Sequence, residues 1–338
     1  MTSSPGTRTK ISLRRFALLF SIFFLIAAGL GYPTLNRFDP RQTPGLSDAK
    51  IYAAMVAGTA GADAGHARFR VLVPWIARPI WRIAQGRIDT WDPVMFALLV
   101  ANSLFVAATA ALLIALGTRY FGSYPTALIA ALLYLLNFAV PNLRLAGLVD
   151  AGEGFFLLAL LWSLAEGITW LVPLLTILGT LSKESFLPFC VVFAAAWWLT
   201  ERRQSLAIDR LMTLSILAGW ALSLAALIAV QRIVSGSFTN PFEFGLTLHR
   251  GHNYLAHFAS SLYDRNLWYV FLWLLPTAIP NLTRMPRPWL VATTATCAMA
   301  FVLDAYYGGE PGTIGRALFS ISGPTLSLSS AILLAHNS

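Results

Sequence analysis

Residues 93–116 read PVMFALLVANSLFVAATAALLIAL, an unbroken run without one charged side chain. Wound as an α-helix at ~1.5 Å per residue, the run reaches about 36 Å, more than the ~30 Å hydrocarbon core of a bilayer. Similar apolar runs occupy 16–31, 124–140, 211–230 and 317–335, and shorter or interrupted ones 155–165, 168–181, 186–200, 267–279 and 290–303. The composition agrees with this reading. Of 338 residues, 57% are hydrophobic and 12% charged, where soluble domains carry about 25% charged residues. The expectation is an all-α fold, a polytopic transmembrane helical bundle of about ten spans that forms one integral membrane domain over 1–338.

The formal charge of +9 would suggest nucleic acid in a soluble protein. Here the basic residues lie between apolar runs rather than in one patch, and none of the nucleic-acid motifs is present, so no nucleic-acid partner is expected. Membrane lipids with anionic headgroups are the expected partners. Lys10, Arg14 and Arg15 precede the first run, which reads as a signal anchor with its basic end in the cytoplasm. Short connections rich in Lys and Arg stay on that side, which places Arg119, the group Arg202, Arg203 and Arg210, and the pair Arg284 and Arg287 together inside. Residues 33–92, 141–154, 183–185, 231–266 and 305–316 then lie outside. The 33–92 segment is rich in arginine, which a long loop tolerates. Its stretches Ile51–Val56 and Phe69–Ala84, the second interrupted by Pro74 and Pro79, read as interfacial helices lying on the membrane. Cys190 and Cys297 fall inside apolar runs and imply no disulfide framework.

Charged groups near apolar spans cost roughly 2.5–3.5 kcal/mol each on insertion scales, so those retained there are candidates for function. Asp48, in LSDAKIY (46–52), has a carboxylate fit to take a proton or to hold a divalent metal; its plainer reading is a helix cap or an ion pair with Lys50. Arg68 and Arg70, in HARFRVLVPW (66–75), have the paired donors that suit a phosphate, or else simply snorkel from an amphipathic helix. Asp150 and Glu153, three residues apart, share a helix face and serve either a site or a cap. Lys183 and Glu184 stand between two apolar runs with almost no loop, where they either neutralise each other or present a lysine to a lipid phosphate. Arg316 follows the glycine-rich YYGGEPGTIG (306–315), which lacks the setting and ending of a nucleotide loop and reads as a turn that supports Arg316. His249, His252 and His257 lack the His-Glu-x-x-His order of a zinc protease, and no serine-nucleophile elbow is present.

Taken in order, a first span, an outer loop with Ser47-Asp48-Ala-Lys-Ile-Tyr52, then Arg68-Phe-Arg70, Ser182-Lys183-Glu184 and Gly315-Arg316 before a final span resemble the GT-C superfamily of polytopic glycosyltransferases. The resemblance implies a polyprenyl-phosphate-linked sugar as donor, a bacterial plasma membrane with the N-terminus cytoplasmic, and an active site outside. It assigns Asp48 the acidic role, with a divalent metal ion as its possible cofactor, and Asp150 a weaker catalytic one. Arg70, Lys183, Glu184 and Arg316 take the lipid-phosphate or substrate side. Two features depart from the family: a single Asp stands where some members have an acidic pair, and no soluble C-terminal domain follows. The competing expectations are a multi-pass transporter or lipid flippase, a lipid-linked glycan polymerase or ligase, and a non-catalytic subunit.

Overall fold

A computed structural model of the chain describes residues 13–37, 48–60, 62–204, 210–236, 253–307 and 312–336. Among them there are fourteen α-helices and no strand. The long ones are α1 (Leu13–Arg37), α4 (Pro93–Phe121), α8 (Phe186–Gln204), α9 (Arg210–Ser235), α13 (Arg287–Tyr307) and α14 (Thr313–His336). Shorter ones are α2 (Ala49–Ala57), α3 (Leu72–Ala84), α5 (Tyr124–Leu136), α6 (Asp150–Glu166), α7 (Leu171–Ser182), α10 (Tyr254–Leu262), α11 (Arg265–Phe271) and α12 (Leu274–Ala278).

The uncharged run 93–116 is the axis of the bundle. Asp92 opens α4 by accepting from the backbone N–H groups of Val94 and Met95 at 2.8 and 3.1 Å, with Pro93 in the first turn. Small residues let neighbours close on it. A Cβ on Gly117 would stand 2.8 Å from Ala127 and 2.9 Å from Leu328, so α5 and α14 approach the α4 backbone where only glycine fits. Both α4 and α14 are sheathed by other helices, whereas α1, α9 and α13 leave most of their apolar surface open. Leu18, Leu25, Leu211, Leu214 and Val302 point outward. Contiguous exposed leucine on long helices requires an apolar solvent, which is a bilayer.

Among the described residues five helices are long and apolar enough to cross a membrane: 14–36, 93–121, 210–235, 287–307 and 313–335. The expected ten spans are therefore not reached by length and composition. Helix α5 has 13 residues and α7 has 12, about 20 Å and 18 Å at the helical rise, too short to cross unaided. The apolar stretch at 267–279 is also not one helix; it breaks into α11, α12 and a 3-10 turn, Ile279–Arg284. Side chains serve the backbone groups that such breaks release. Asn137 donates to Val270 O at 2.9 Å, Ser329 to Ala278 O at 2.6 Å, and Ser330 to Leu274 O at 3.4 Å.

The 33–92 segment is less of a loop than expected. Helix α1 continues through Pro33 to Arg37, and α3 buries Val73, Pro74 and Ala77, packing on α4 while Trp75 and Ile83 stay exposed. Pro74 falls in the first turn, where its missing N–H is not needed, whereas Pro79 stands inside the helix and removes one of its hydrogen bonds, yet α3 continues through both.

Polar contacts sort to the two ends of the bundle. At one end the Arg15 guanidinium lies 4.2 Å from the Tyr124 ring centre, Arg119 pairs with Glu166, and the Tyr120 and Trp289 rings meet edge to face at 5.9 Å. Asp48, Arg70, Asp150, Lys183, Glu184 and Arg316 gather at the other.

Candidate functional site

Arg70 follows a short 3-10 helix, Ala62–Phe69, and points back between α2 and the connection of α7 to α8. Its guanidinium is bidentate on Glu184, with Nε to Oε2 at 2.7 Å and Nη2 to Oε1 at 2.6 Å. The remaining Nη1 donates to Asp48 Oδ2 at 3.1 Å and to the Tyr52 hydroxyl at 2.6 Å. Asp48 stands at the N-cap position of α2, as one of its plainer readings has it, but its side chain makes no cap hydrogen bond, and its ion pair is with Arg70 rather than Lys50. Burial works to raise the Glu184 pKa, but the charge and hydrogen bonds of Arg70 prevail and lower it to about 2. Burial also holds the Tyr52 phenol well above its ordinary range, so it stays protonated.

Lys183 and Glu184 do not neutralise each other. Neighbours in the chain, they diverge where α7 ends in extended backbone, and each finds a partner elsewhere. Lys183 Nζ donates to Asp150 Oδ1 at 2.8 Å and Glu153 Oε2 at 3.2 Å, both from the first turn of α6. Ser185 donates to the other Glu153 oxygen at 2.5 Å. Burial alone would favour loss of the lysine proton, but Asp150 and Glu153 hold the ammonium charged, its pKa above the ordinary value. Arg316, in the first turn of α14, reaches Asp150 Oδ2 at 3.7 Å, the longest contact among the arginine and lysine pairs of the cluster. The glycines of α6 permit this closeness: a Cβ on Gly152 would stand 2.2 Å from Ser182 Oγ.

These residues form two adjoining groups, Arg70 with Asp48 and Glu184, and Lys183 and Arg316 with Asp150 and Glu153, joined through the chain at Lys183–Glu184. Each cation already has an anionic partner, so a ligand phosphate enters by displacing one. Arg316 is the readiest, since its pairing is long and its side chain 18% exposed. Lys183, with two of three protons engaged, keeps one to give. On the acidic side, Asp48 gives one oxygen to Arg70 and keeps the other, with its side chain 23% exposed. Among the described residues no three His, Cys, Asp or Glu side chains converge as a metal set. The side chains around Asp48 therefore do not fit a protein-held metal, and no step is routed through one.

All six residues singled out from the sequence, Asp48, Asp150, Arg70, Lys183, Glu184 and Arg316, meet here. Ser47, His249, His252 and the 308–311 part of the glycine-rich turn lie outside the described residues, while His257 lies on α10, away from the cluster. Glu153, expected to share a helix face with Asp150, joins them through Lys183, and Tyr52 is added by its contact with Arg70.

Arg144 is missing from the sequence reading altogether. It ends a π-turn, Val140–Arg144, and is 1% exposed, yet no carboxylate lies within 4.0 Å among the described residues. Its guanidinium donates to the Tyr134 hydroxyl and to Ser320 Oγ at 3.2 Å, and lies 4.8 Å from the Phe319 ring centre. Tyr134 and Phe319 are themselves stacked, 5.4 Å apart and 7° from parallel. A Cβ on Gly154 would meet the guanidinium at 2.6 Å, so α6 leaves a place for it. Ser320 then donates to Asp150 O at 3.5 Å, linking this buried cation to the first turn of α6. The signal was present in PNLRLAG (141–147), one arginine among apolar residues between two spans.

No protein-family model, curated protein or solved structure matches this chain.

Proposed function

We propose that this chain is a membrane glycosyltransferase that moves a sugar from a polyprenyl-phosphate donor to an acceptor on the outer face of a bacterial plasma membrane. One observation carries the reading: an apolar groove lies at the end of the bundle that holds the charge cluster. The groove, about 560 Å³, lies between α10 and α13 and is lined by Tyr254, Leu255, Phe258, Phe301, Val302 and Tyr306. Tyr306 stands in the last turn of α13, whose Asp304 accepts at 2.9 Å from Thr313 in the first turn of α14, the turn that also carries Arg316. A groove for a chain of carbons that ends at fixed charges suits an amphiphile with a long tail and an ionic head. In this reading α8, the short α5, α6 and α7 and the broken segment α11–α12 complete a ten-pass topology, with α2 and α3 at the outer membrane interface.

The chemistry follows from where charge develops. The acceptor hydroxyl oxygen attacks the anomeric carbon as the bond from that carbon to the donor phosphate oxygen breaks. The electron pair leaves with the polyprenyl phosphate, and the acceptor proton passes to Asp48. Negative charge grows on the leaving phosphate, which Arg316 and the third proton of Lys183 stabilise most in the transition state. Arg70 and Glu184 hold Asp48 in place from behind, and Asp150 sets the position of both phosphate cations.

The test is transfer of radiolabelled sugar from a panel of polyprenyl-phosphate sugars by purified protein in lipid nanodiscs, with Asp48→Asn in parallel. Transfer by the wild type and a loss of 100-fold or more in the variant are expected, the scale of a missing general base. Full activity in Asp48→Asn removes Asp48 from the chemistry. A second reading, a transporter or flippase, is favoured by the broken crossing at 265–284, since interrupted helices line substrate paths in transporters. Movement of labelled lipid across vesicles without bond cleavage would select it.

A further inference from the structure

A second cavity, about 420 Å³, opens between α10, α11 and the facing ends of α13 and α14. The charge cluster does not use it. Its wall includes Tyr263, Asp264, Asn266 and Tyr269 from the α10–α11 segment and Asp304 from α13. Gly312 and Ile314 close it on the α14 side, and Arg316 of the cluster lies half a turn beyond Ile314. The glycines explain the close fit. Gly312 has φ +93°, and a Cβ there would stand 2.6 Å from Asn266 Nδ2; one on Gly315 would stand 2.8 Å from Leu267 N. The glycine-rich turn thus brings α11 against α14, which shapes the cavity and sets it beside Arg316.

The lining has a consistent chemistry. Asp264 accepts from Asn266 N through Oδ1 at 3.0 Å, while its Oδ2 is shut off from solvent and has no hydrogen-bond partner among the described residues. A buried carboxylate oxygen without a donor is unfavourable, so a turn of the Asp264 side chain that brings Oδ2 into the cavity gains it a partner there. Asp304 accepts from Ser261 and, at 2.9 Å, from Thr313, and a carboxylate has room for further donors. Two carboxylates outweigh the one arginine of the wall, Arg265, which disfavours an anion. The Tyr263 and Tyr269 rings are exposed and offer flat apolar faces with polar tips.

We infer that this cavity binds a neutral saccharide, whose hydroxyls donate to Asp264 and Asp304 while its C–H face lies on a tyrosine ring. The inference rests on the transferase reading only for which saccharide is meant, the acceptor or the sugar of the donor.

The experiment is a titration of wild-type protein in nanodiscs with a panel of neutral monosaccharides and disaccharides, read by saturation-transfer NMR. Asp264→Asn, Tyr263→Ala and Asp48→Asn follow with the best ligand. Asp264→Asn keeps the helix cap, since Asn caps as well as Asp, and Tyr263 is exposed enough to be cut back without loss of fold. Binding that weakens tenfold or more in the first two variants and is unchanged in Asp48→Asn is expected. Absence of binding by every sugar, preference for an anionic sugar, or binding indifferent to Asp264 and Tyr263 overturns the inference. Sugar binding without turnover of any polyprenyl-phosphate sugar keeps the cavity and removes the transferase reading; turnover with no sugar bound at the cavity does the reverse. Where both hold, a raised acceptor KM in Asp264→Asn identifies the acceptor, and weakened binding of polyprenyl-phosphate sugar, but not of polyprenyl phosphate, identifies the donor.

Discussion

Glu184 takes both N–H groups of one guanidinium edge, and its folded-state pKa is lowered to about 2 against an ordinary 4.5. A depressed carboxylate pKa contributes stability that is complete above the unfolded value and fades as pH falls towards the folded one. Thermal unfolding in detergent should therefore drop in temperature between about pH 4.5 and pH 2 for the wild type, and vary less over that window in Glu184→Gln. At neutral pH the same variant should lose about 1–3 kcal/mol, below the ~3–5 kcal/mol of a wholly buried pair, because Glu184 keeps contact with solvent. Equal melting temperatures for variant and wild type would show the pair to be structurally idle. Arg144 behaves differently. With no carboxylate beside it, its charge is a burden on folding that two hydrogen bonds and an aromatic face offset only in part. Arg144→Met, similar in length, should melt no lower than wild type yet lose tenfold or more in transfer, as Ser320, which donates to Asp150 O, loses the guanidinium that holds it. A variant both less stable and fully active would make Arg144 a packing residue.

Helix α6 carries the site through what it omits. Gly152 and Gly154 face Ser182 and Arg144, and both carboxylates of the Lys183 pair sit in the same turn. Inside a helix, Gly→Ala ordinarily gains up to about 1 kcal/mol. At 152 the added methyl would overlap Ser182 Oγ, so the expected sign is reversed, to a loss of about 1–3 kcal/mol from overpacking. Adding Ser182→Ala removes the closest atom, leaving a 3.2 Å contact with Cβ, and should return most of the loss in a chemical or thermal melt. Lack of rescue would place the strain elsewhere in α6. The pattern of small residues was visible in DAGEGF (150–155), but their partners, 30 residues onward and 10 back, were not.

For the whole molecule, the helix ends divide between a base-rich end without the cluster and an end with it, and the charge rule puts the first in the cytoplasm. Trp170 and Tyr263 are exposed at opposite ends. In a background lacking Cys190 and Cys297, Tyr263→Cys should react with an impermeant maleimide on intact cells, and Trp170→Cys only after permeabilisation; the opposite pattern would invert the orientation. The sequence by itself determined the helical class and the apolar solvent, because run length and absence of charge are local properties that no fold can undo. It also pointed to six charged residues, because a charge near a span is costly wherever it sits. Only the tertiary structure decided their pairing. Lys183 and Glu184, adjacent in the chain, part to separate partners, and Asp48 turns from its own helix to Arg70. The span count likewise fell to five long helices, since backbone breaks at 265–284 depend on serine and asparagine side chains supplied from other helices. Periodicity reports what a segment can do alone; the donors that let it do otherwise arrive through space.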